Sequence, residues 1–294
     1  MLITRRLLTA GASALAAAGC SPLAIFDAVA PRDSGTTKPG RALAYGPHPR
    51  QTLDVHVPSS PGSAAAPVVV FFYGGSWKGG TKEEYDFVGA ALAAQGFVAV
   101  LPDYRVYPEV RFPDFLEDSA AAVGFAQQNA ARFGGDGSRI ILAGHSAGAY
   151  NAAMLAYDGR YLGRAGVPAG TVRGFAGLSG PYDFLPLDPG TAQEVFGDAP
   201  DKRATQPITF AGRGSPPSFL ASGTADDTVR PKNTVNLAAK LRAAGVPVVE
   251  RLYEGLDHKD TLISLSVPFR GSAPALAEMS SFVRSLGAGR GRVG

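Results

Sequence analysis

The chain has 294 residues, 45% hydrophobic and 18% charged, with a formal net charge of +3. Residues 1–20 hold two arginines and no acid, so the rest sets 26 basic against 25 acidic side chains, with no basic excess that would point to a nucleic-acid partner. The one cysteine, Cys20, excludes an internal disulfide.

Taken in chain order, "MLITRRLLTAGASALAAAGC" (1–20) falls outside the fold. A short basic start and a modest apolar run, Leu7 to Ala18, make a secretory-signal pattern, shorter than the roughly 20 residues a membrane-spanning helix needs. "TRRLL" resembles a twin-arginine export signal. "AAGC" resembles a bacterial lipobox, with Ala17 where leucine is commoner. That likeness implies a lipidated Cys20, export, and attachment to the cell envelope on its periplasmic or cell-surface side, with the membrane as a partner.

Residues 21–40, with three prolines and Gly35-Thr36-Thr37, read as a tether. "ALAYG" (42–46) and the alternating "TLDVHVP" (52–58) suggest a hairpin, followed by a loop over 58–66. Strands and helices then alternate. "PVVVFFYGG" (67–75) is a buried strand, and 81–96 a helix with a capping-box start at Thr81 and Glu84. Strands at 97–105 and 139–144 flank a helix over 112–135. A helix over 146–158 follows, then strands at 172–180 and 216–226, a helix from Pro231 to Ala244, a strand at 246–255 and a last helix near 273–286. Such alternation predicts an α/β fold, a mostly parallel central sheet with helices on both faces. One domain is expected over 41–287, with 181–215 inserted as a small cap and 288–294 as a flexible tail.

The strongest chemical signal is Gly144-His145-Ser146-Ala147-Gly148, a G-x-S-x-G between a strand and a helix. Glycines two before and two after the serine let the turn close, which pushes Ser146 out at the sheet's C-terminal edge beside a helix N-terminus. A serine hydroxyl needs a base to take its proton. Of the four histidines, His48 and His56 lie in the early hairpin and His145 lies inside the elbow. His258 follows the last strand and is the expected base. "SGTADDTV" (222–229) offers two carboxylates to orient it. Asp226 lies nearer the strand end and is preferred, while Asp227 is expected to cap the next turn. An oxyanion needs preorganised N–H donors. The glycines of "YGGSW" (73–77), after the first central strand, expose backbone amides for that purpose, and Ala147 N–H supplies another.

"YGGSW", "PDYRVYPEVRFP", "GHSAGA", "GTADDTV" and the late His258 together resemble the α/β-hydrolase carboxylesterases related to hormone-sensitive lipase and the feruloyl-esterase-like enzymes. The resemblance covers roughly residues 50–287. It implies an α/β-hydrolase fold, a Ser146–Asp226–His258 triad, and Gly75, Ser76 and Ala147 as oxyanion amides. Tyr73 stands where the family usually has histidine, and Ser76 where it often has a third glycine. Tyr73 is then expected to support the loop through its hydroxyl. Arg105, in Asp103-Tyr104-Arg105, is expected to pair with a buried carboxylate such as Asp118.

The expected activity is hydrolysis of short-chain or aromatic esters through an acyl-enzyme, on a small-molecule ester, with no cofactor and no metal. Trp77, Tyr107, Tyr182 and Phe184 are candidate pocket walls. Two other readings stand beside this one: an arylformamidase-like amide hydrolase, and a catalytically inactive hydrolase-fold binding lipoprotein.

Overall fold

A computed structural model describes residues 21–288. Strands β1 (Thr36–Ala44), β2 (Thr52–Pro58), β3 (Ala66–Phe72), β4 (Val98–Pro102), β5 (Gly135–His145), β6 (Val172–Leu178), β7 (Ser218–Gly223) and β8 (Val248–Tyr253) form one sheet in the order β1-β2-β4-β3-β5-β6-β7-β8. β1 and β2 pair antiparallel, β2 joins β4 antiparallel, and every later pairing is parallel. The central strands read as unbroken apolar runs because helices cover both faces. In β3, Val68 to Phe72 are all buried, each worth roughly 1.5–3 kcal/mol over an exposed side chain.

Ten helices lie among the described residues: α1 (Pro22–Val29), α2 (Asp86–Ala94), α3 (Asp114–Asn129), α4 (Ala147–Tyr157), α5 (Gly159–Arg164), α6 (Thr191–Phe196), α7 (Pro207–Phe210), α8 (Lys232–Ala243), α9 (Asp260–Ile263) and α10 (Ala275–Ala288). α2 and α10 touch on one face of the sheet; α3 and α4 pack together on the other. The parallel strands end together at one edge. The loops after β3, β5, β7 and β8 meet there, as expected for ligand sites of open α/β sheets.

Several expectations change. Residues 21–40 are no simple tether: α1 is capped by Ser21, and β1 begins at Thr36. β1 accommodates Pro39 because it is an edge strand with no partner on its outer side. The helix expected over 81–96 starts as a 3-10 turn, Lys82–Tyr85, and Thr81 makes no side-chain cap. The N–H of Lys82 instead donates to Asp103 at 2.8 Å. Between α4 and β6, the sequence reading missed α5.

Residues 181–215, where a cap is expected, carry α6 and α7. Asn233 Oδ1 accepts the N–H groups of Tyr182 and Asp183 at 2.9 and 2.8 Å, and the Tyr150 hydroxyl donates to Thr205 O at 2.7 Å. The Phe196 ring lies 4.8 Å from Trp77 and 5.3 Å from Tyr150. These contacts fasten this segment to the body.

Candidate active site

The turn from β5 into α4 holds Ser146 at φ 54°, ψ −126°, a backbone state that costs a non-glycine residue about 1–3 kcal/mol. The Ser146 N–H donates to Leu178 O at 3.0 Å, which fixes the turn against β6. Its flanking glycines are sterically required. A Cβ on Gly148 would lie 2.1 Å from Phe72 O, and one on Gly144 would lie 2.5 Å from the Gly148 carbonyl.

The structure brings Ser146, His258 and Asp226 into line. His258 Nε2 is 2.9 Å from Ser146 Oγ, and His258 Nδ1 is 2.9 Å from Asp226 Oδ2. Asp226 is buried. Burial raises its pKa, but the hydrogen bonds from His258 and from Val229 N–H outweigh burial and hold it below the usual carboxylate value. Its Oδ1 accepts Thr228 N–H at 3.1 Å and Val229 N–H at 2.8 Å. Asp226 itself, rather than Asp227, therefore caps the following turn, and Asp227 is exposed. Asp257 and Asp260 hold each other's backbone N–H groups at 2.9 Å and stay local to the loop.

The His258 loop is pinned from behind. Its carbonyl is 2.9 Å from His145 Nε2 and accepts the Thr261 hydroxyl at 3.1 Å. Burial, and then the neighbouring His258, push the His145 pKa down to about 3. A neutral ring that donates from Nε2 leaves Nδ1 without a partner, as found among the described residues. Thr261 also meets the Ser179 hydroxyl at 2.9 Å. Ser179 is another residue at positive φ, 47°, one strand over from Ser146. Sequence gave no signal for Ser179 or Thr261, which matter only through the register of β6 and α9.

The loop after β3 turns on Gly75 (φ 123°), Ser76 (φ 56°) and Trp77 (φ 56°). A Cβ on Gly75 would lie 2.3 Å from Gly79 O. Gly74 N–H donates to the Tyr85 hydroxyl at 3.0 Å, whereas the N–H groups of Gly75, Ser76 and Ala147 donate to no acceptor among the described residues. Tyr73 holds the loop from below: its hydroxyl accepts from Arg50 at 2.7 Å and its ring stacks on Tyr104 at 4.7 Å. Arg50 also reaches Gly80 O at 2.7 Å and Tyr104 O at 2.9 Å, joining both ends of the loop. Arg105 grips buried Asp118 with two bonds of 2.8 Å, as expected. The supporting roles of Arg50 and Tyr85 went unseen in the sequence, because neither lies in a motif.

The candidate pocket walls divide. Tyr182 is fully buried, filling the space that Gly177 and Gly180 leave open, and is core rather than wall. Trp77 is also buried, donating to Asn151 at 3.0 Å among the rings of Phe196 and Tyr150. Phe184 is half-buried on a cleft of about 290 Å³ shared with Leu185, Pro186 and Thr228, beside the Asp226 turn. Tyr107 is half-buried beneath Lys78 and Arg111. No cluster of three or more His, Cys, Asp or Glu with metal-binding geometry occurs among the described residues. Cys20 lies outside them.

The BD-FAE family model matches residues 53–241. Isoprenylcysteine alpha-carbonyl methylesterase ICME of Arabidopsis thaliana is 30% identical over 80% of this chain and 60% of its own length. Esterase LipC of Mycobacterium tuberculosis is 31% identical over 69% of this chain and 55% of its own. The chain thus spans about 60% of the length of the first curated relatives it matches. Among solved structures, esterase B from Lactobacillus rhamnosis superposes with a TM-score of 0.77 at 20% identity, over 89% of this chain and 90% of that one. A carbohydrate esterase from gut microbiota superposes with a TM-score of 0.71 at 20% identity, over 87% and 97%. These two likenesses show the α/β-hydrolase fold.

Proposed function

The chain belongs to the BD-FAE family and has the α/β-hydrolase fold, and on that premise we propose that it is a carboxylesterase-type serine hydrolase acting through Ser146, His258 and Asp226. The observation that carries this reading is the relay from Ser146 Oγ through His258 to buried Asp226, each step 2.9 Å.

In the proposed reaction His258 Nε2 takes the hydroxyl proton as Ser146 Oγ bonds to the ester carbonyl carbon. Charge develops on the carbonyl oxygen, and the N–H groups of Gly75, Ser76 and Ala147 face it. Loss of one such donor costs about 2.7–4 kcal/mol. His258 returns the proton to the departing alkoxide, which leaves as the alcohol. Water then attacks the acyl-enzyme as His258 takes its proton, the acyl–Oγ bond breaks, and His258 returns that proton to Ser146 Oγ as the acid leaves. Asp226 keeps the imidazole in the donating tautomer and stabilises its cation.

Short-chain or aromatic esters are the proposed substrates. The bonds that hold residues 181–215 against Asn233 and Tyr150 support small acyl or aryl groups. Cys20 is proposed as a lipid-anchor site that holds the exported protein at the cell envelope. Hydrolysis of p-nitrophenyl acetate, butyrate and decanoate tests the reading. The acetate and butyrate should be preferred, and Ser146→Ala should lower turnover by about 10⁴-fold or more. Turnover retained in Ser146→Ala, or preference for decanoate, would overturn it.

A further inference from the structure

A surface helix normally turns charge to water and apolar side chains inward. Helix α1, "PLAIFDAV", turns Leu23 and Phe26 inward but also buries its charge and leaves apolar residues on its outer face. Its one charged residue, Asp27, is buried, accepting the Phe87 N–H at 3.0 Å and pairing with Arg32 at 2.5 Å. Phe26 packs inward, 5.3 Å from Phe87 and 5.9 Å from Phe269. The outward side chains are Pro22, Ile25, Ala28 and Val29, with Ile25 52% and Val29 75% exposed. On the 3-10 turn that meets α1 through Phe269, Val267 is 41% and Phe269 43% exposed. Four of the six large hydrophobic residues exposed among the described residues lie on these two segments, which is not the scattered exposure of an ordinary surface.

The second observation is where the chain leads. Ser21 Oγ accepts the Ala24 N–H at 3.0 Å and donates to Glu84 at 2.6 Å, so the residue after Cys20 is held against the body. One residue spans about 3.8 Å. A lipid on Cys20 would therefore draw α1 directly to the bilayer, with no slack to hold the body away.

We propose that the outer face of α1, extended by Val267 and Phe269, is a seat on a lipid surface that enters the headgroup boundary beside the lipid of Cys20. The outer face of α1 then meets the lipid surface where the lipid of Cys20 enters it, adding buried apolar area to that anchor. The seat adjoins the edge that carries Ser146. Glu84, held by Ser21, shares its 3-10 turn with Tyr85, whose hydroxyl holds Gly74. The seat rests on the proposed anchoring at Cys20, and two separate readouts tell them apart.

Because Cys20 is the only cysteine, the full chain carrying Cys20→Ser has no thiol, and Ile25→Cys, Val29→Cys or the exposed-loop control Ser63→Cys gives one labelling site. An environment-sensitive fluorophore at each position is read with and without vesicles of phosphatidylethanolamine and phosphatidylglycerol. Labels at 25 and 29 should shift to the blue and be quenched by brominated lipid, while the label at 63 stays water-like. Without labels, Ile25→Ser with Val29→Ser should lower vesicle partition of the Cys20→Ser chain roughly tenfold. Intact mass of the native chain reads lipid on Cys20 independently. Water-like labels at 25 and 29 with vesicles present overturn the seat, whatever the mass shows. A blue shift there with no lipid on Cys20 keeps the seat and removes the anchor. Labels shielded before vesicles are added mean that a second copy or residues 1–20 cover the face, which also overturns it.

Discussion

His145→Gln removes a ring buried behind the elbow, whose pKa burial and His258 push down to about 3. In the unfolded chain the same imidazole titrates near its ordinary value of about 6.5. Between these values the unfolded state holds the extra proton, so stability falls as pH falls. From about pH 7 to about pH 4.5 the unfolded ring gains about 2.5 kcal/mol by protonation, which the folded ring does not share. The glutamine chain lacks this contribution, so its stability should drop less over that interval by about 2.5 kcal/mol. Urea unfolding of both chains at each pH, followed by the fluorescence of the single tryptophan, Trp77, gives the difference directly. Every other ionisable side chain is present in both chains, so the comparison isolates residue 145. At neutral pH the variant also loses the 2.9 Å bond to the His258 carbonyl, costing about 1–3 kcal/mol. Equal pH slopes in the two chains would refute a neutral, buried His145.

Arg105→Ala strips buried Asp118 of two bonds but leaves Gln51 Nε2 at 2.7 Å and the backbone N–H of residue 105 at 2.9 Å. A loss of about 2–3 kcal/mol is expected, at or below the low end for a broken buried pair, because Arg105 is itself partly exposed. Thermal melting checks it, and an unchanged midpoint would contradict the assignment. Tyr85→Phe removes the acceptor of Gly74 N–H and leaves that amide unpaired. It should lower kcat about two- to tenfold with a smaller change in KM, the range of one ordinary hydrogen bond. Steady-state kinetics on p-nitrophenyl butyrate reads the split.

The elbow and the parallel sheet were legible because each has a local cause. Gly144 and Gly148 are dictated by the turn itself, and the apolar runs of β3 and β5 announce strands covered on both faces. The pairing of Arg105 with Asp118 was legible too, since both lie in strongly patterned elements. α1 was hidden because apolar residues occupy both its faces: Leu23 and Phe26 go inward with Asp27, and Ile25 and Val29 go outward, so charge and apolar residues do not separate. The supports behind the site were hidden for another reason. Arg50, Tyr85, Ser179 and Thr261 act across 11 to 82 residues of chain and depend on register alone. Tyr182 is a candidate pocket wall as an aromatic in the sequence, yet the missing side chains of Gly177 and Gly180 draw it into the core.

Labelling of the folded chain by a fluorophosphonate, followed by peptide mapping, tests most directly whether Ser146 is an activated nucleophile. A single adduct on Ser146 is predicted, absent from Ser146→Ala and formed far more slowly in folded His258→Ala, which lacks the imidazole 2.9 Å from Ser146 Oγ. An unlabelled Ser146 in folded protein, or an adduct rate indifferent to His258, would contradict the account.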